Sequence, residues 1–128
     1  MKVLIADDSK LMRDRIREIL SIFNNVEIVS ETDNGLSTIE ELDEQKPDIA
    51  IIDIRMPDKN GLEVLKELRL KNKTTKVIIL TNYAYDQYKD KAFEIGADFF
   101  FSKSEDFDKI AATVAELLRE TKNHIITA

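Results

Sequence analysis

The chain has no cysteine, no tryptophan and a single histidine, His124. Without cysteine there is no disulfide, no thiolate zinc site and no thiol chemistry. The missing cysteine says little about compartment. One histidine near the polar end of the chain excludes histidine-cluster metal sites and histidine-based triads. Basic residues are the minority, 19 against 25 acidic, so the formal net charge is -6. That balance disfavours nonspecific binding to nucleic acid or to an anionic membrane. Long hydrophobic runs are also missing. None approaches the roughly 20 residues of a membrane span. The opening Met1–Asp8 stretch, MKVLIADD, meets charge too soon to be a signal peptide. Together these features predict a cytoplasmic protein without membrane insertion. Glycine and proline number only 3 and 2, and we find no linker, low-complexity segment or second domain. At 128 residues the chain is long enough for one domain with a real core.

Five short apolar runs are present: Val3–Ala6, Val26–Val29, Ile49–Ile52, Val77–Leu80 and Ala97–Phe101. All but the last are rich in Val and Ile, as strands are. The first, third and fourth are apolar at every residue. A strand reads that way when both faces are covered, as in a parallel sheet. The second is more polar and suits an edge. Between the runs lie helical stripes within Leu11–Phe23, Leu36–Leu42, Leu62–Leu70 and Phe107–Leu118, with a weaker one in Tyr85–Ile95. Gly96 is placed to end the fourth helix. The pattern is βα repeated five times with short connections. Right-handed crossovers put helices on both faces of a parallel sheet. Residues 1–122 form the expected domain, and residues 123–128 read as a tail or the start of a linker, with no output domain.

The polar residues then fall into place. Asp7 and Asp8 follow the first run, Asp53 ends the third, Thr81 ends the fourth, and Lys103 follows the fifth. In a parallel sheet these are all carboxyl ends, so all lie on one edge, where doubly wound sheets bind ligands. If the first and third strands are neighbours, Asp7, Asp8 and Asp53 meet. Three carboxylates at close quarters repel one another, and a hard divalent cation removes the problem. Mg²⁺ takes oxygen ligands and keeps several waters, so this set suits it. Carboxylates, a cation, a hydroxyl and an ammonium suit phosphoryl transfer, which needs positioning and charge neutralisation. A carboxylate can itself be the nucleophile, and Asp53 is the candidate. Each residue also has an ordinary reading. Asp7 and Asp8 could merely cap a helix near Ser9, Thr81 be a plain strand residue and Lys103 a solvated charge. Phe99, Phe100 and Phe101 are mainly a core signal. Tyr83, Tyr85 and Tyr88 are equally compatible with packing and with an exposed contact surface.

The stretches ADDSK, DIRMPDKNGLEVL, LTN and FFFSKS, in this order and spacing, resemble the receiver domain of bacterial two-component response regulators. The resemblance covers nearly the whole chain. It implies a flavodoxin-like (βα)5 sandwich with strand order 2-1-3-4-5. It implies Asp53 as phosphoacceptor and Mg²⁺ held by Asp8, by Asp7 largely through water, by Asp53 and by the backbone carbonyl of Arg55. Thr81 and Lys103 would bind the phosphoryl oxygens, and Phe100 would be the aromatic that moves inward as Thr81 shifts. The donor would be a phosphohistidine on a histidine kinase or phosphotransfer protein. The output would be altered protein contacts on the 85–118 face, without direct binding to nucleic acid. Such a protein is a switch rather than an enzyme, catalysing only its own phosphorylation and dephosphorylation.

Three positions depart from the family pattern. Ser104 stands where Pro is usual, which implies a differently built loop because a non-proline cis bond is costly. Asn82 stands where Ala or Gly is common, which narrows access to the phosphoryl group. Phe100 stands where Tyr is frequent, which removes a hydroxyl. Three other functions compete. An Mg²⁺-dependent aspartyl-phosphate phosphatase needs a second Asp two residues after the nucleophile, where this chain has Arg55. A flavin module of flavodoxin type needs a glycine-bearing phosphate loop after the first strand, where this chain has DDSKLM. A receiver-like scaffold without phosphotransfer would not need the intact acidic set.

Overall fold

A computed structural model describes residues 1–127, with side chains through Thr121. The elements alternate: β1 Lys2–Ala6, α1 Lys10–Leu20, β2 Glu27–Thr32, α2 Gly35–Gln45, β3 Ile49–Ile52, α3 Gly61–Lys71, β4 Lys76–Thr81, α4 Asp86–Ile95, β5 Phe99–Ser102 and α5 Lys109–Thr127. The strands form one parallel sheet in the order β2-β1-β3-β4-β5. The all-apolar runs are the three inner strands, and the more polar β2 is an edge. No helix among the described residues is long and apolar enough to cross a membrane.

Strand alternation divides the core between the two sheet faces. Leu4, Ala6, Ala50, Ile52, Val77 and Ile79 pack with Leu42 of α2, Leu65 of α3 and Ala92 of α4. Val3, Ile5, Ile49, Ile51, Ile78 and Leu80 pack with Ile16 of α1 and with Ile110 and Val114 of α5. Each fully buried aliphatic side chain contributes about 1.5–3 kcal/mol relative to exposure. The inner strands are therefore rigid, and so is the direction in which their ends point. The register sets Ile5 beside Ile51 and Ala6 beside Ile52, so β1 and β3 end together.

The boundaries differ from the apolar pattern in three places. Strand β2 runs on through Ser30, Glu31 and Thr32, because an edge strand needs an apolar residue only on its covered side. Strand β5 begins at Phe99, two residues later than its apolar run. The Asp98 side chain accepts from Val77 N at 2.9 Å and from Arg69 Nη2 at 3.1 Å, which holds the entry to that strand. Helix α5 begins at Lys109 because Phe107 sits in the preceding turn, under the guanidinium of Arg15 at 4.3 Å. The α5 backbone continues to Thr127, so residues 123–127 of the segment read as a tail are helical, and all of that segment lies outside the described side chains.

Helices on the site side start with explicit caps. Ser9 Oγ accepts from Met12 N, and Asn34 Oδ1 accepts from Ser37 N. Asn60 and Glu63 form a reciprocal capping box on α3. Helix α4 has no side-chain cap, and its one buried residue is Ala92. It is the most lightly held helix, as its weak apolar stripe predicts.

Gly61 shows how tightly α3 abuts the site. Its amide donates to Ile54 O at 2.7 Å, and a Cβ there would lie 2.2 Å from the carbonyl oxygen of Asp53. Backbone fills that space, so neither partner can swing away. Gly61→Ala is expected to cost about 2–3 kcal/mol, or roughly 10 °C in melting temperature. A urea melt within about 0.5 kcal/mol of wild type would contradict the close approach.

Candidate functional site

The carboxyl ends of the strands place the chemistry. Asp7 N donates to Thr32 O at 3.0 Å, and Asp53 N donates to Ala6 O at 2.9 Å. Both aspartates are thus held by the last rungs of the sheet ladder. One carboxylate oxygen from each of Asp7, Asp8 and Asp53 lies within 4.8 Å of the others. Asp7 and Asp53 are buried, at 2% and 5% exposure, while Asp8 opens to solvent. Asp7 Oδ1 also accepts from Ser9 N at 2.9 Å, and Asp7 O accepts from Arg13 Nη1 at 2.7 Å. The Asp7 carboxylate therefore braces Ser9, the N-cap of α1, and serves the cluster at once.

Lys103 reaches this cluster from the far end of β5. Its Nζ lies 2.7 Å from Asp7 Oδ2 and 2.9 Å from Asp53 Oδ2, and its side chain is 6% exposed. Its backbone amide donates to Thr81 O at 3.0 Å, so β4 delivers the lysine. One ammonium bridges two buried carboxylates, and a third carboxylate stands beside them. Burial pushes the Asp53 carboxyl above its ordinary 3.8 against the pull of Lys103, and the charge of Asp7 adds to the rise. Burial alone would lower Lys103, but its bonds to Asp53 and Asp7 outweigh that and raise it.

The donor set fits a hard cation. It is all oxygen, and one member faces solvent, where waters can complete a coordination shell. Asp53 Oδ1 is buried with no hydrogen-bond partner among the described residues. Its other oxygen bonds Lys103. A buried carboxylate oxygen left unpaired carries a real cost, and a cation beside Oδ1 would remove it.

The remaining residues surround this centre. Thr81 is fully buried at the end of β4, and its Oγ1 accepts from Tyr83 N at 3.0 Å. Arg55 lies just beyond Asp53 in the loop to α3. Its guanidinium sits 4.4 Å above the Tyr83 ring, so a cation–π contact spans two of the site's loops. Tyr85 lies 6.3 Å from Tyr83 and 5.7 Å from Tyr88 between ring centroids. Tyr85 is exposed, and Tyr88 packs on the core, so this trio divides between the two roles open to it. Phe100 is buried on the α2–α4 side, while Phe99 and Phe101 pack on the other. Asn82 is exposed beside Thr81. At Ser104 the loop is stitched by hydroxyls. Ser104 Oγ lies 3.0 Å from Ser102 Oγ, and Ser102 N donates to Asp106 Oδ2 at 2.9 Å. No cis peptide bond occurs among the described residues.

A groove of about 570 Å³ lies between α2 and α3, lined by Ile39, Leu42, Leu68 and Leu70. Asp43, Glu67, Lys46, Lys71 and Lys73 also line it, but among the described residues three carboxylates converge only at Asp7, Asp8 and Asp53. The charge geometry makes the strand ends the candidate site.

Residues 3–115 match the family model of the response regulator receiver domain. The chain belongs to that family. This receiver is 36% identical over 110 residues to the chemotaxis protein CheY of Listeria monocytogenes, covering 86% of this chain and 92% of that protein. It is 34% identical over 127 residues to the sensory transduction protein LytT of Bacillus cereus, covering 99% of this chain and 51% of that protein. It therefore spans about half the length of several curated relatives it matches. The crystal structure of the response regulator domain of Thermotoga maritima CheB superposes with a TM-score of 0.82 at 30% identity, covering 96% of each chain.

Two features of this receiver's site were not read from the sequence. One is the double bridge made by Lys103. The other is the role of Asp58, whose Oδ1 accepts from Leu36 N at 2.8 Å at the start of α2. The turn-prone run Pro57–Gly61 was the only available signal.

Proposed function

We propose that this receiver accepts a phosphoryl group on Asp53 from a phosphohistidine of a histidine kinase or phosphotransfer protein, and that the modification switches its protein contacts. The observation that carries the reading is the state of the Asp53 carboxylate. It is buried and rigidly aimed, with one oxygen on Lys103 and the other unpaired. An electron pair of Asp53 forms a bond to phosphorus as the phosphorus–nitrogen bond breaks, and the imidazole leaves with the electrons of the broken bond. The product is an acyl phosphate, which water later hydrolyses. Mg²⁺, when bound, offsets the negative charge between the carboxylates and the phosphoryl oxygens. Asp8, Asp53 and the Arg55 carbonyl would hold it directly, and Asp7 through water.

Lys103 supplies a positive charge to the phosphoryl oxygens, and the Thr81 hydroxyl supplies a donor. The transfer draws the Thr81 hydroxyl toward Asp53, which Lys103 already bonds, and Phe100, already buried, adjusts with Thr81. The readout is the surface of α4, β5 and α5, where α4 is lightly held. Downstream proteins would bind there, within the cytoplasm. The protein acts on itself, so it is a signalling switch. Arg55, lying over Tyr83, offers no general acid for a phosphatase acting on other substrates.

The test is intact mass spectrometry after incubation with Mg²⁺ and acetyl phosphate. One added phosphoryl group, mapping to Asp53 and absent with chelator, is expected. An adduct elsewhere, or none with small donors or a panel of histidine kinases, would favour a receiver-like scaffold.

A further inference from the structure

The loop between Asp53 and Gly61 is fastened at its base and at its middle. At the base, Gly61 N donates to Ile54 O at 2.7 Å and joins the two ends. At the middle the fastening comes from another helix. Gly35 N donates to Pro57 O at 3.1 Å, and Leu36 N donates to Asp58 Oδ1 at 2.8 Å. Asn34 Oδ1 takes Ser37 N, so the first-turn amides of α2 at 35, 36 and 37 all have partners. Two of those three partners belong to the loop that carries Arg55. A helix start leaves its first amides unpaired unless something caps them. Here α2 is capped largely from the β3–α3 loop.

Asp58 holds this position at a cost. Its φ is 63°, a left-handed conformation that Asp and Asn tolerate better than most residues. Its Oδ1 also accepts from Lys59 N at 2.7 Å, so one oxygen closes the turn and caps the helix. The two segments are in backbone contact as well. A Cβ at Gly35 would lie 2.2 Å from Lys59 O. The loop therefore has little slack, and Arg55 lies between its fixed points.

We infer that Asp58 is a positioning residue for the cation site: by capping α2 it fixes the loop that presents the Arg55 carbonyl, and it couples the start of α2 to cation binding. The inference rests on the functional reading above, in which that carbonyl is a ligand. Coupling of this kind is reciprocal. If the cap strengthens cation binding, the cation strengthens the cap.

Three substitutions separate the contributions. Asp58→Asn keeps both the acceptor and the tolerance for positive φ. Asp58→Gly keeps the backbone freedom and loses the acceptor. Asp58→Ala loses both. Isothermal titration with MgCl₂ is expected to show binding about tenfold weaker for Asp58→Gly, the usual size for a group that orients a ligand. Asp58→Asn is expected to bind within about twofold of wild type, since Asn and Asp cap helices equally well. Amide exchange on the wild-type protein gives an independent reading: the Leu36 amide is expected to exchange more slowly with Mg²⁺ present. Unweakened binding by Asp58→Gly, or Leu36 exchange indifferent to Mg²⁺, would overturn the inference alone. If Asp58→Gly fails to fold by circular dichroism, the Leu36 exchange decides. Failure of the wild type to bind Mg²⁺ would overturn the functional reading and this inference together.

Discussion

Asp53→Asn protein, treated with Mg²⁺ and acetyl phosphate, is expected to gain no phosphoryl mass and to melt higher than wild type. The first effect follows from chemistry. A carboxamide is a far poorer nucleophile than a carboxylate, and loss of a nucleophile commonly costs three orders of magnitude or more. Asp8 is exposed and has no comparable aim, so it does not take over. The second effect follows from charge. Two buried carboxylates share one ammonium with a third carboxylate beside them, and Asp53 Oδ1 has no partner among the described residues. Asn removes a buried charge from that cluster and still offers Lys103 an oxygen. A gain of about 1 kcal/mol, a few degrees in melting temperature, is expected in the absence of divalent cations. The gain is expected to vanish in excess Mg²⁺, because on the proposed function only the wild type would hold the cation through an Asp53 carboxylate. A variant that melts lower than wild type in chelator would show that the carboxylate stabilises the fold as it stands.

Replacing Lys103 with methionine is expected to act in the opposite direction. It leaves Asp7 and Asp53 buried without their shared counter-charge. Breaking one side of a buried ionic cluster costs about 3–5 kcal/mol. Protonation of Asp53 limits the loss, so about 3 kcal/mol near neutral pH is expected. The sign of the pH dependence follows from linkage. Asp53 is already raised above 3.8 in the folded state, so the folded protein holds that proton more tightly than the unfolded chain. Such a group subtracts stability as pH rises from the unfolded value through the folded one. Without the ammonium the folded value rises further. The deficit of Lys103→Met is therefore expected to grow from mildly acidic to neutral pH. The titration of Lys103 itself plays no part there. Its folded value is raised above 10.5, so its contribution is lost only in strong alkali. Urea melts across this range check the prediction, and a deficit that does not change with pH would contradict it.

Much of this arrangement was legible because strand ends are written in the sequence. Where an apolar run stops, a parallel strand has reached its carboxyl edge. Asp7, Asp53, Thr81 and Lys103 each stand at such a stop, so their shared edge could be read before any coordinates. Their distances could not. Lys103 and Asp53 are 50 residues apart, and neither the double bridge to Asp7 nor the unpaired Asp53 Oδ1 leaves a periodic trace. The same holds for Asp58, whose partner Leu36 lies 22 residues earlier. Boundaries slipped where polar residues continued an element, as in Ser30–Thr32 of β2, or where an apolar residue served a turn, as Phe107 does. Periodicity records which face an element buries, and it is silent on pairings between loops.

The parallel sheet also separates the molecule into a working end and a spare one. Asp7, Asp8, Asp53, Thr81 and Lys103 lie after strands, while the connections that lead into strands lie at the opposite edge. The exposed turn at Asn24 and Asn25 belongs to that opposite edge. It is the natural place to graft a tag, a fluorophore or a second module. An insert there is expected to leave phosphoryl uptake at wild-type level in the mass assay, since exposed loop tips tolerate additions. The same insert between Met56 and Lys59 would fall within the fastened loop and is expected to abolish uptake.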